Sequence, residues 1–422
     1  MLLIRQSLGL FILLTLLMVS CSQELTPPDV AEDPDVVVND TIPDDDGNSG
    51  EGDGGGDDGS GGDPGDGNGD GSGGEGAGED VIYFPPQGED TWLTVDPDSL
   101  AWNTAAINDL LNFLDNNKTR AFLVLHRGRL VIEHYNGAEF NSSIPFTGDS
   151  EWYWASAGKT LTAFLAGIAK EQGLLDLSAP TSNYLGESWS SVSPEKQQLI
   201  SVRNHLTMTT GLDEKVKDDT PNDNVDDDCT DPECLQYKAD AGSRWSYHNA
   251  PYNLLDDIID SASGIRYESF SLNNLEAPIG MEGEWRIQEE YNKIYWSSAR
   301  DAARFGLLML NGGVWNTTPL LEDTDYFNTM ISTSQEINPA YGYLWWLNKE
   351  GAVLPGSGGQ SADIFTANAP GQMFTAAGLN GQFINVIPEL ELVVVRFGEL
   401  NGTNLKTLHN TMWGYLKTVI QY

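Results

Sequence analysis

A run of Gly, Asp and Ser between Gly47 and Asp80 is the feature that most constrains the fold of this chain. The run has no apolar periodicity, and the Pro- and Asp-rich residues that precede it from Ser22 onward have none either. Such a segment buries too little apolar surface to offset the conformational entropy that folding removes. We therefore predict a disordered acidic tether over residues 22–81 and one folded domain over residues 82–422.

The acidic charge of the chain is concentrated in this tether. Nineteen of the 63 Asp and Glu residues, and no Lys or Arg, lie between Ser22 and Asp80. The formal net charge is −41 for the chain and −23 for residues 81–422, so we predict no nucleic-acid partner. The Asp spacing never follows the calcium-loop pattern D-x-[DN]-x-[DN]-G-x5-E, and calcium binding by the tether stays an open alternative.

The first 21 residues are typical of a bacterial export signal. Arg5 supplies the positive flank, and the apolar run 10–19 is shorter than the roughly 20 residues of a membrane span. Cys21 after Ser20 resembles a lipobox, in which the cysteine becomes the lipidated first residue. We predict a lipoprotein signal peptide over residues 1–21 and an extracytoplasmic protein attached to the membrane through Cys21. An ordinary secretory peptide is the alternative.

Two further cysteines, Cys229 and Cys234, lie five positions apart. In an oxidising compartment this spacing predicts a local disulfide. A zinc site at two cysteines would need histidine ligands, but the five histidines of the chain are scattered singly. We therefore predict no catalytic metal and no cofactor.

Apolar periodicity predicts an α+β domain. Helical spacing occurs over residues 107–114 and 161–168, and two strands around a turn are predicted over residues 121–135. This order predicts an antiparallel sheet flanked by helices, with a helical lobe at roughly residues 160–311 and the site between them. The later predicted elements are strands over residues 343–348, 373–379, 383–387 and 390–397 and a closing helix over residues 404–420.

Ser156 and Lys159 form an S-x-x-K tetrad at the start of a predicted apolar helix. The spacing places both side chains on one helix face. A serine hydroxyl becomes a nucleophile when a base takes its proton, and a buried lysine with a lowered pKa is such a base. The helix N-terminus adds positive potential and a backbone N–H for a developing oxyanion. We expect the flanking Trp152 and Trp154 to keep the lysine dry.

Ser193 and Lys196 form a second tetrad with the same spacing. Pro194 at the second position and the polar residues that follow are typical of a helix N-cap on the surface. Such tetrads arise by composition about once in a chain of this length, so the spacing alone is not specific. We assign the nucleophile to Ser156 because an apolar helix follows only the first tetrad.

Tyr247-His248-Asn249 is the second chemical element, just before an apolar helix start. A tyrosine near a lysine ammonium can shuttle a proton, and we expect the Asn249 amide to bind both the lysine and the substrate. His248 is interpreted either as a substrate-side group or as a solvent-facing residue. Tyr326 begins a second Y-x-N triplet in an acidic patch, which we interpret as surface.

These motifs resemble the serine beta-lactamase-related family, which includes class C beta-lactamases, D-alanyl-D-alanine carboxypeptidases, beta-lactamase-fold esterases and 6-aminohexanoate-dimer hydrolases. The resemblance covers about residues 102–420 and includes the segments SVRNHLTMTTGL, AGSRWSYHNAPYNLL and ARDAARFGLLMLNGGVW, in the order of the family. It implies a beta-lactamase/transpeptidase-like fold and an acyl-enzyme mechanism. In this mechanism Ser156 would be the nucleophile, Lys159 its base and Tyr247 a second acid/base.

The third motif of the family is usually Lys-Thr-Gly or His-x-Gly on a strand, and the next backbone N–H completes the oxyanion hole. The corresponding residues here begin at Ala376, so the cationic position carries no charge. The resemblance assigns Gly378 and Leu379 to the oxyanion side of the site. A plain buried hairpin is the alternative for this strand.

We therefore predict a serine hydrolase of small neutral esters or amides. The alternatives are a non-catalytic binding or sensor protein of the same fold and a peptidoglycan D,D-peptidase or beta-lactamase. Arg244 and Lys293 are candidates for supplying the missing cation from other segments. Trp245, Trp345 and Trp346 are interpreted as core residues rather than as a substrate platform.

Overall fold

The structure is a computed structural model that describes residues 81–88, 91–216, 227–288, 290–355 and 366–422. The predicted export signal, the lipidation site Cys21 and all but the last residue of the predicted tether lie outside the described residues. In the part of the chain that is described, no helix is long and apolar enough to cross a membrane.

A six-stranded antiparallel sheet forms the centre of the domain. The described strands are β1 (Thr119–His126), β2 (Arg129–Tyr135), β3 (Trp152–Tyr153), β4 (Gly283–Gln288), β5 (Asn292–Ser297), β6 (Val314–Trp315), β7 (Thr318–Pro319), β8 (Trp346–Leu347), β9 (Phe374–Gly378), β10 (Gln382–Ile387) and β11 (Leu392–Gly398). The central sheet has the order β2-β1-β11-β10-β9-β8, and two small sheets have the orders β3-β5-β4 and β6-β7. Every residue of β9, β10 and β11 is buried, so both faces of the sheet are covered.

Eleven α-helices occur in the described residues, together with short 3-10 turns and one π-helical turn (Leu272–Glu276) between α7 and α8. They are α1 (Ile107–Asn116), α2 (Lys159–Glu171), α3 (Ser182–Leu185), α4 (Pro194–Gln197), α5 (Val202–Leu206), α6 (Asn249–Ser263), α7 (Tyr267–Ser271), α8 (Ala277–Ile279), α9 (Ala299–Leu310), α10 (Thr324–Met330) and α11 (Leu405–Ile420).

Helices pack against both faces of the sheet. Successive side chains of a strand point to opposite faces, so neighbours in β10 meet different helices. A Cβ at Gly306 of α9 would lie 3.1 Å from Cγ2 of Ile384. The adjacent Phe383 instead stacks on His409 of α11, with 4.1 Å between ring centroids. The middle of the chain has a smaller apolar core of its own, formed by Trp189, Val192, Ile200, Leu212, Leu235, Ala250 and Leu254.

The predicted strand over residues 343–348 is too long. Leu344 adopts a φ of 62°, a left-handed conformation that turns the chain. Only Trp346 and Leu347 pair with β9. The apolar run is buried in full, but a run of buried residues does not distinguish a strand from a packed turn.

Candidate active site

Ser156 lies in a 3-10 turn, Ala155–Gly158, directly before α2 begins at Lys159. Ala155 has a φ of 47°, a conformation that costs a residue with a side chain on the order of 1–3 kcal/mol. The chain therefore makes a strained turn immediately before the serine. Such strain is common where a fold presents a reactive side chain.

Lys159 is buried beside the serine hydroxyl. Its Nζ lies 3.4 Å from Oγ of Ser156, and the lysine is only 5% exposed. Burial lowers the pKa of Lys159 to about 7, against an opposing effect of nearby carboxylates at Asp227, Asp256 and Asp228. A large fraction of Lys159 is therefore neutral at pH 7 and able to accept the serine proton.

Tyrosines form the immediate shield of this lysine. Its Nζ lies 4.0 Å from the ring centroid of Tyr252 and 5.7 Å from that of Tyr247. Trp152 and Trp154, the shield expected from the sequence, are buried in the core, where they pack against other aromatic rings. Tyr252 was not among the predicted site residues, although it lies only three positions after Asn249.

Tyr247 adjoins the tetrad from the side of α6. Its ring stacks on Trp346, with 6.2 Å between centroids and 15° between planes. Burial raises the pKa of Tyr247, its interaction with Ser156 lowers it, and Asp227 raises it. The net shift is upward, so Tyr247 is a neutral phenol at pH 7. It can donate a proton, whereas Lys159 is the group that is able to accept one.

Trp245 and Trp346 contact the ring of Tyr247, whereas Trp345 lies in the core. Trp346 forms the wall against which Tyr247 stacks, and Trp245 contacts both of these rings. Trp345 is fully buried between the Phe305 and Phe374 rings. All three are buried, as the sequence predicted, but Trp346 also shapes the site.

Asn249 contacts a carboxylate rather than the lysine. Its Nδ2 donates to Oδ2 of Asp227 at 3.1 Å, and within the described part of the chain the Asn249 amide forms no hydrogen bond with Lys159. Its Oδ1 is buried without a hydrogen-bond partner in that same part of the chain. The expected bond from the amide to the lysine is therefore not formed.

The structure rejects the solvent-facing interpretation of His248, one of its two, and the surface interpretation of Tyr326. His248 is 3% exposed, so it does not face solvent, and burial lowers its pKa to about 4. Tyr326 is buried as well, and its hydroxyl donates to the carbonyl of Ala163 in α2 at 2.6 Å. The acidic residues near Tyr326 in the sequence gave no sign that its ring packs beneath the helix that carries Lys159.

Strand β9 ends against the serine turn. A Cβ at Gly378 would lie 2.3 Å from the carbonyl oxygen of Trp154 and 3.0 Å from the nitrogen of Ala157, so only glycine permits this approach. Ala376 is fully buried and pairs with Ile384 of β10. The position that usually carries a cation in the resembled family is therefore an uncharged, fully buried side chain. Leu379 follows at the surface.

A buried guanidinium holds the turn after β9, a feature that the sequence did not reveal. Nη1 of Arg396 donates to the carbonyls of Asn380 and Gly381, both at 2.8 Å. Nη2 donates to the carbonyls of Asn117 and Glu399. Burial lowers the pKa of this arginine to about 9. The sequence indicates a special role for Arg396 only by placing a charged residue inside an otherwise apolar strand.

The two candidate replacement cations are engaged elsewhere. Arg244 pairs with Glu214 at 2.8 Å. Lys293 lies 2.8 Å from a carboxylate oxygen of Glu268 and 3.6 Å from one of Asp256. Neither side chain is therefore a free cation for a substrate carboxylate.

The Cys229–Cys234 pair forms a disulfide with an S–S distance of 2.07 Å, so neither sulfur is a zinc ligand. The residues just before it anchor the start of α6. The carbonyl of Asp227 accepts the N–H of Ala250 at 2.7 Å, and Nδ2 of Asn253 donates to the carbonyl of Asp228. Within the described ranges, no three His, Cys, Asp or Glu side chains form a group suited to a metal ion.

Comparison with known proteins identifies the family of this chain. Residues 117–411 match the Beta-lactamase family model. The 6-aminohexanoate-dimer hydrolase of Paenarthrobacter ureafaciens is 22% identical over 329 residues, which is 74% of this chain and 80% of that protein. This sequence similarity supports a function of the hydrolase type.

Two solved structures resemble the fold. A candidate 6-aminohexanoate-dimer hydrolase of Bacillus anthracis has a TM-score of 0.56 and 22% identity, covering 73% of this chain and 81% of its own. A candidate beta-lactamase of Bacteroides dorei has a TM-score of 0.58 and 16% identity, covering 76% of this chain and 100% of its own. The fold is thus beta-lactamase/transpeptidase-like, and with the family model matching more than half of its residues, the chain belongs to the Beta-lactamase family.

Proposed function

We propose that this protein is a serine hydrolase that cleaves small neutral esters or amides through an acyl-enzyme. One observation carries the proposal: Nζ of the buried Lys159, with a pKa of about 7, lies 3.4 Å from Oγ of Ser156. A base of this pKa is suited to proton transfer at neutral pH. The sequence similarity to the 6-aminohexanoate-dimer hydrolase supports the broader class of hydrolase.

In the proposed acylation step, neutral Lys159 takes the proton of the Ser156 hydroxyl as Oγ bonds to the substrate carbonyl carbon. The carbonyl oxygen takes up the negative charge and faces the backbone N–H groups of Ser156 and Leu379. Collapse of this intermediate breaks the bond to the alkoxide or amine leaving group. Tyr247 donates a proton to the leaving group and recovers one from the Lys159 ammonium.

Deacylation reverses these roles with water as the nucleophile. Neutral Lys159 accepts a proton of water, directly or through the Tyr247 hydroxyl, as the water oxygen bonds to the acyl carbon. The acyl bond to Oγ then breaks, and Ser156 regains its proton from the lysine. The products are a carboxylic acid and the free enzyme.

The charge of the site favours neutral substrates over beta-lactams. A penicillin or cephalosporin carries a carboxylate next to the scissile ring, whereas Ala376 offers no cation and Arg244 and Lys293 are paired with carboxylates. The loss of one charge-assisted contact costs on the order of 1.5–3 kcal/mol, about one to two decades in rate. We expect turnover of p-nitrophenyl butyrate to exceed that of nitrocefin. Equal or faster nitrocefin turnover that disappears in Ser156→Ala would contradict this preference.

A fluorophosphonate probe tests the nucleophile in the full-length protein. We expect wild-type protein and Ser193→Ala to be labelled at Ser156, and Ser156→Ala to remain unlabelled. Peptide mapping by mass spectrometry identifies the modified residue. Failure of the folded wild-type protein to react would favour a non-catalytic binding protein of the same fold, and labelling of Ser193 would overturn the assignment.

A further inference from the structure

Tyr252 of α6 presents the face of its ring to the proposed base. The ring centroid lies 4.0 Å from Nζ of Lys159, closer than the 5.7 Å of Tyr247. The tyrosine is 4% exposed, so this contact is shielded from water. A desolvated ammonium over an aromatic face is attracted by the ring quadrupole.

The Tyr252 ring is itself held from the helix that carries the lysine. Its hydroxyl lies 3.2 Å from Oγ1 of Thr162, one turn after Lys159 in α2. The same Oγ1 lies 2.7 Å from the hydroxyl of Tyr267 in α7. Three elements therefore fix the ring at a set distance from Lys159.

We propose that Tyr252 is a positioning residue for the reaction, whose ring face holds the Lys159 ammonium beside the Ser156 hydroxyl. The proposal rests on the proposed function of Ser156 and Lys159. An aromatic face attracts the ammonium without the full charge of a contacting carboxylate, which would keep the lysine protonated at neutral pH. The ring thus orients the nitrogen and still lets it lose its proton.

Several charged or titratable groups act on Lys159 together with this ring. Burial lowers the lysine pKa, and the carboxylates raise it by less. One of these carboxylates, Asp256, is itself paired with Lys293. The groups that face this region come from four segments. They are Asp227 and Asp228 before the disulfide, Tyr247 just before α6 and Asp256 within it, Tyr267 and Glu268 on α7, and Lys293 on β5.

This arrangement predicts the direction of a pH effect. The ring favours the protonated lysine, so its removal lowers the pKa of Lys159. The active form is the neutral lysine, so the acidic limb of the pH profile moves to lower pH. From the usual strength of a cation–π contact, the shift is about 0.5 to 1.5 pH units.

The test is the rate of fluorophosphonate labelling of Ser156 in the full-length protein, measured from about pH 5 to about pH 9. Tyr252→Phe keeps the ring and should keep the limb in place, whereas Tyr252→Leu should move it to lower pH. Tyr326→Leu is the matched control, because Tyr326 is also a buried tyrosine that packs on α2 but its hydroxyl binds the Ala163 carbonyl. This control should leave the limb unchanged.

A second series keeps the experiment decisive if Tyr252→Leu does not fold. Phenylalanines with increasing numbers of ring fluorines at position 252 retain the shape of the ring and weaken its attraction for a cation. We expect the limb to move stepwise to lower pH along the series. A limb that stays in place, or moves upward, overturns the role of Tyr252. Absence of Ser156 labelling in the wild-type protein would instead reject the proposed function itself.

Discussion

The two S-x-x-K tetrads of this chain have the same spacing and opposite environments. Lys159 is buried at the start of a 13-residue helix, and burial lowers its pKa to about 7. Lys196 lies in the four-residue helix α4, where its side chain is 39% exposed and pairs with Asp240. This hydrogen bond to the carboxylate raises the pKa of Lys196.

Both lysines lie near a tyrosine ring, so an aromatic contact alone does not explain the difference. Nζ of Lys196 is 5.5 Å from the ring centroid of Tyr237 on the surface, whereas Lys159 meets Tyr252 away from water. Water and a paired carboxylate stabilise the protonated ammonium, whereas burial without a close counter-charge favours the neutral amine. The environment of the tetrad, rather than its spacing, determines whether the lysine can act as a base.

The largest expected effect comes from removing each lysine in turn. Lys159→Met should lower ester turnover by about 100- to 10,000-fold, because general-base catalysis is lost. Lys196→Met should leave turnover within about twofold, because its surface ion pair contributes little to stability. Steady-state kinetics on p-nitrophenyl butyrate measure both. Comparable losses in the two variants would show that the contrast between the tetrads is not functional.

Strand β9, which packs closely against the turn that carries Ser156, provides the next test. Gly378→Ala would place a Cβ 2.3 Å from the carbonyl oxygen of Trp154, so β9 must move away from the serine turn. We expect kcat to fall by about 100-fold, as when an oxyanion-hole donor is lost. Gly371→Ala, where a Cβ would meet no atom within 4 Å, is the control. An active, normally stable Gly378→Ala variant would remove this strand from the proposed mechanism.

The pH dependence of the activity should follow the protonation of Lys159 and not that of Lys196. Lys159 is protonated below its pKa of about 7, so activity should fall about tenfold per pH unit below that value and level off above it. Lys196 has a raised pKa and stays protonated across this range, so Lys196→Met should have the same profile. Rate measurements between about pH 5 and pH 9 give the midpoint. A wild-type profile without an acidic limb would contradict a lysine base.

The same pKa shift has a consequence for stability. The folded-state pKa of Lys159 lies below its ordinary value of 10.5, so the folded state disfavours the ammonium. This penalty is fully present below pH 7 and diminishes as the pH rises toward 10.5. Raising the pH toward 10.5 therefore both forms the neutral lysine, which is the active form in the proposed mechanism, and reduces the penalty on the folded state.

The smallest expected effect on activity concerns the disulfide loop, which lies beside both regions. The loop anchors the start of α6, and the carbonyl of Pro232 accepts the N–H of Ser191 near the second tetrad. The double variant Cys229→Ser with Cys234→Ser should lower stability by about 2 kcal/mol and turnover only a few-fold. Denaturant unfolding and ester kinetics on the same samples check this. A loss of turnover as large as that of Lys159→Met would show that the loop is needed to assemble the site.

The sequence by itself predicted the elements whose signal is local. The helical spacing over residues 161–168 predicted α2, two strands around a turn were predicted over residues 121–135 where β1 and β2 lie, and the apolar helix after Lys159 distinguished the two tetrads. The family and the fold class also followed from the order of short motifs, and the comparisons confirm both. The helix, the turn and the difference between the tetrads are readable because each depends on neighbours within one or two helical turns, whereas the family is implied by the resemblance of motifs spread along the chain.

Only the tertiary structure decided which groups surround the chemistry. Tyr252 meets Lys159 because α6 packs against α2, and Arg396 reaches the turn after β9 because β10 and β11 pair in one register. Tyr326 was interpreted as a surface residue, and solvent exposure was one of the two interpretations of His248, because the polar neighbours of a residue in the sequence do not reveal which segments cover it. A side chain's pKa and contacts depend on burial by residues far away in the chain, and that burial exists only once the domain has packed.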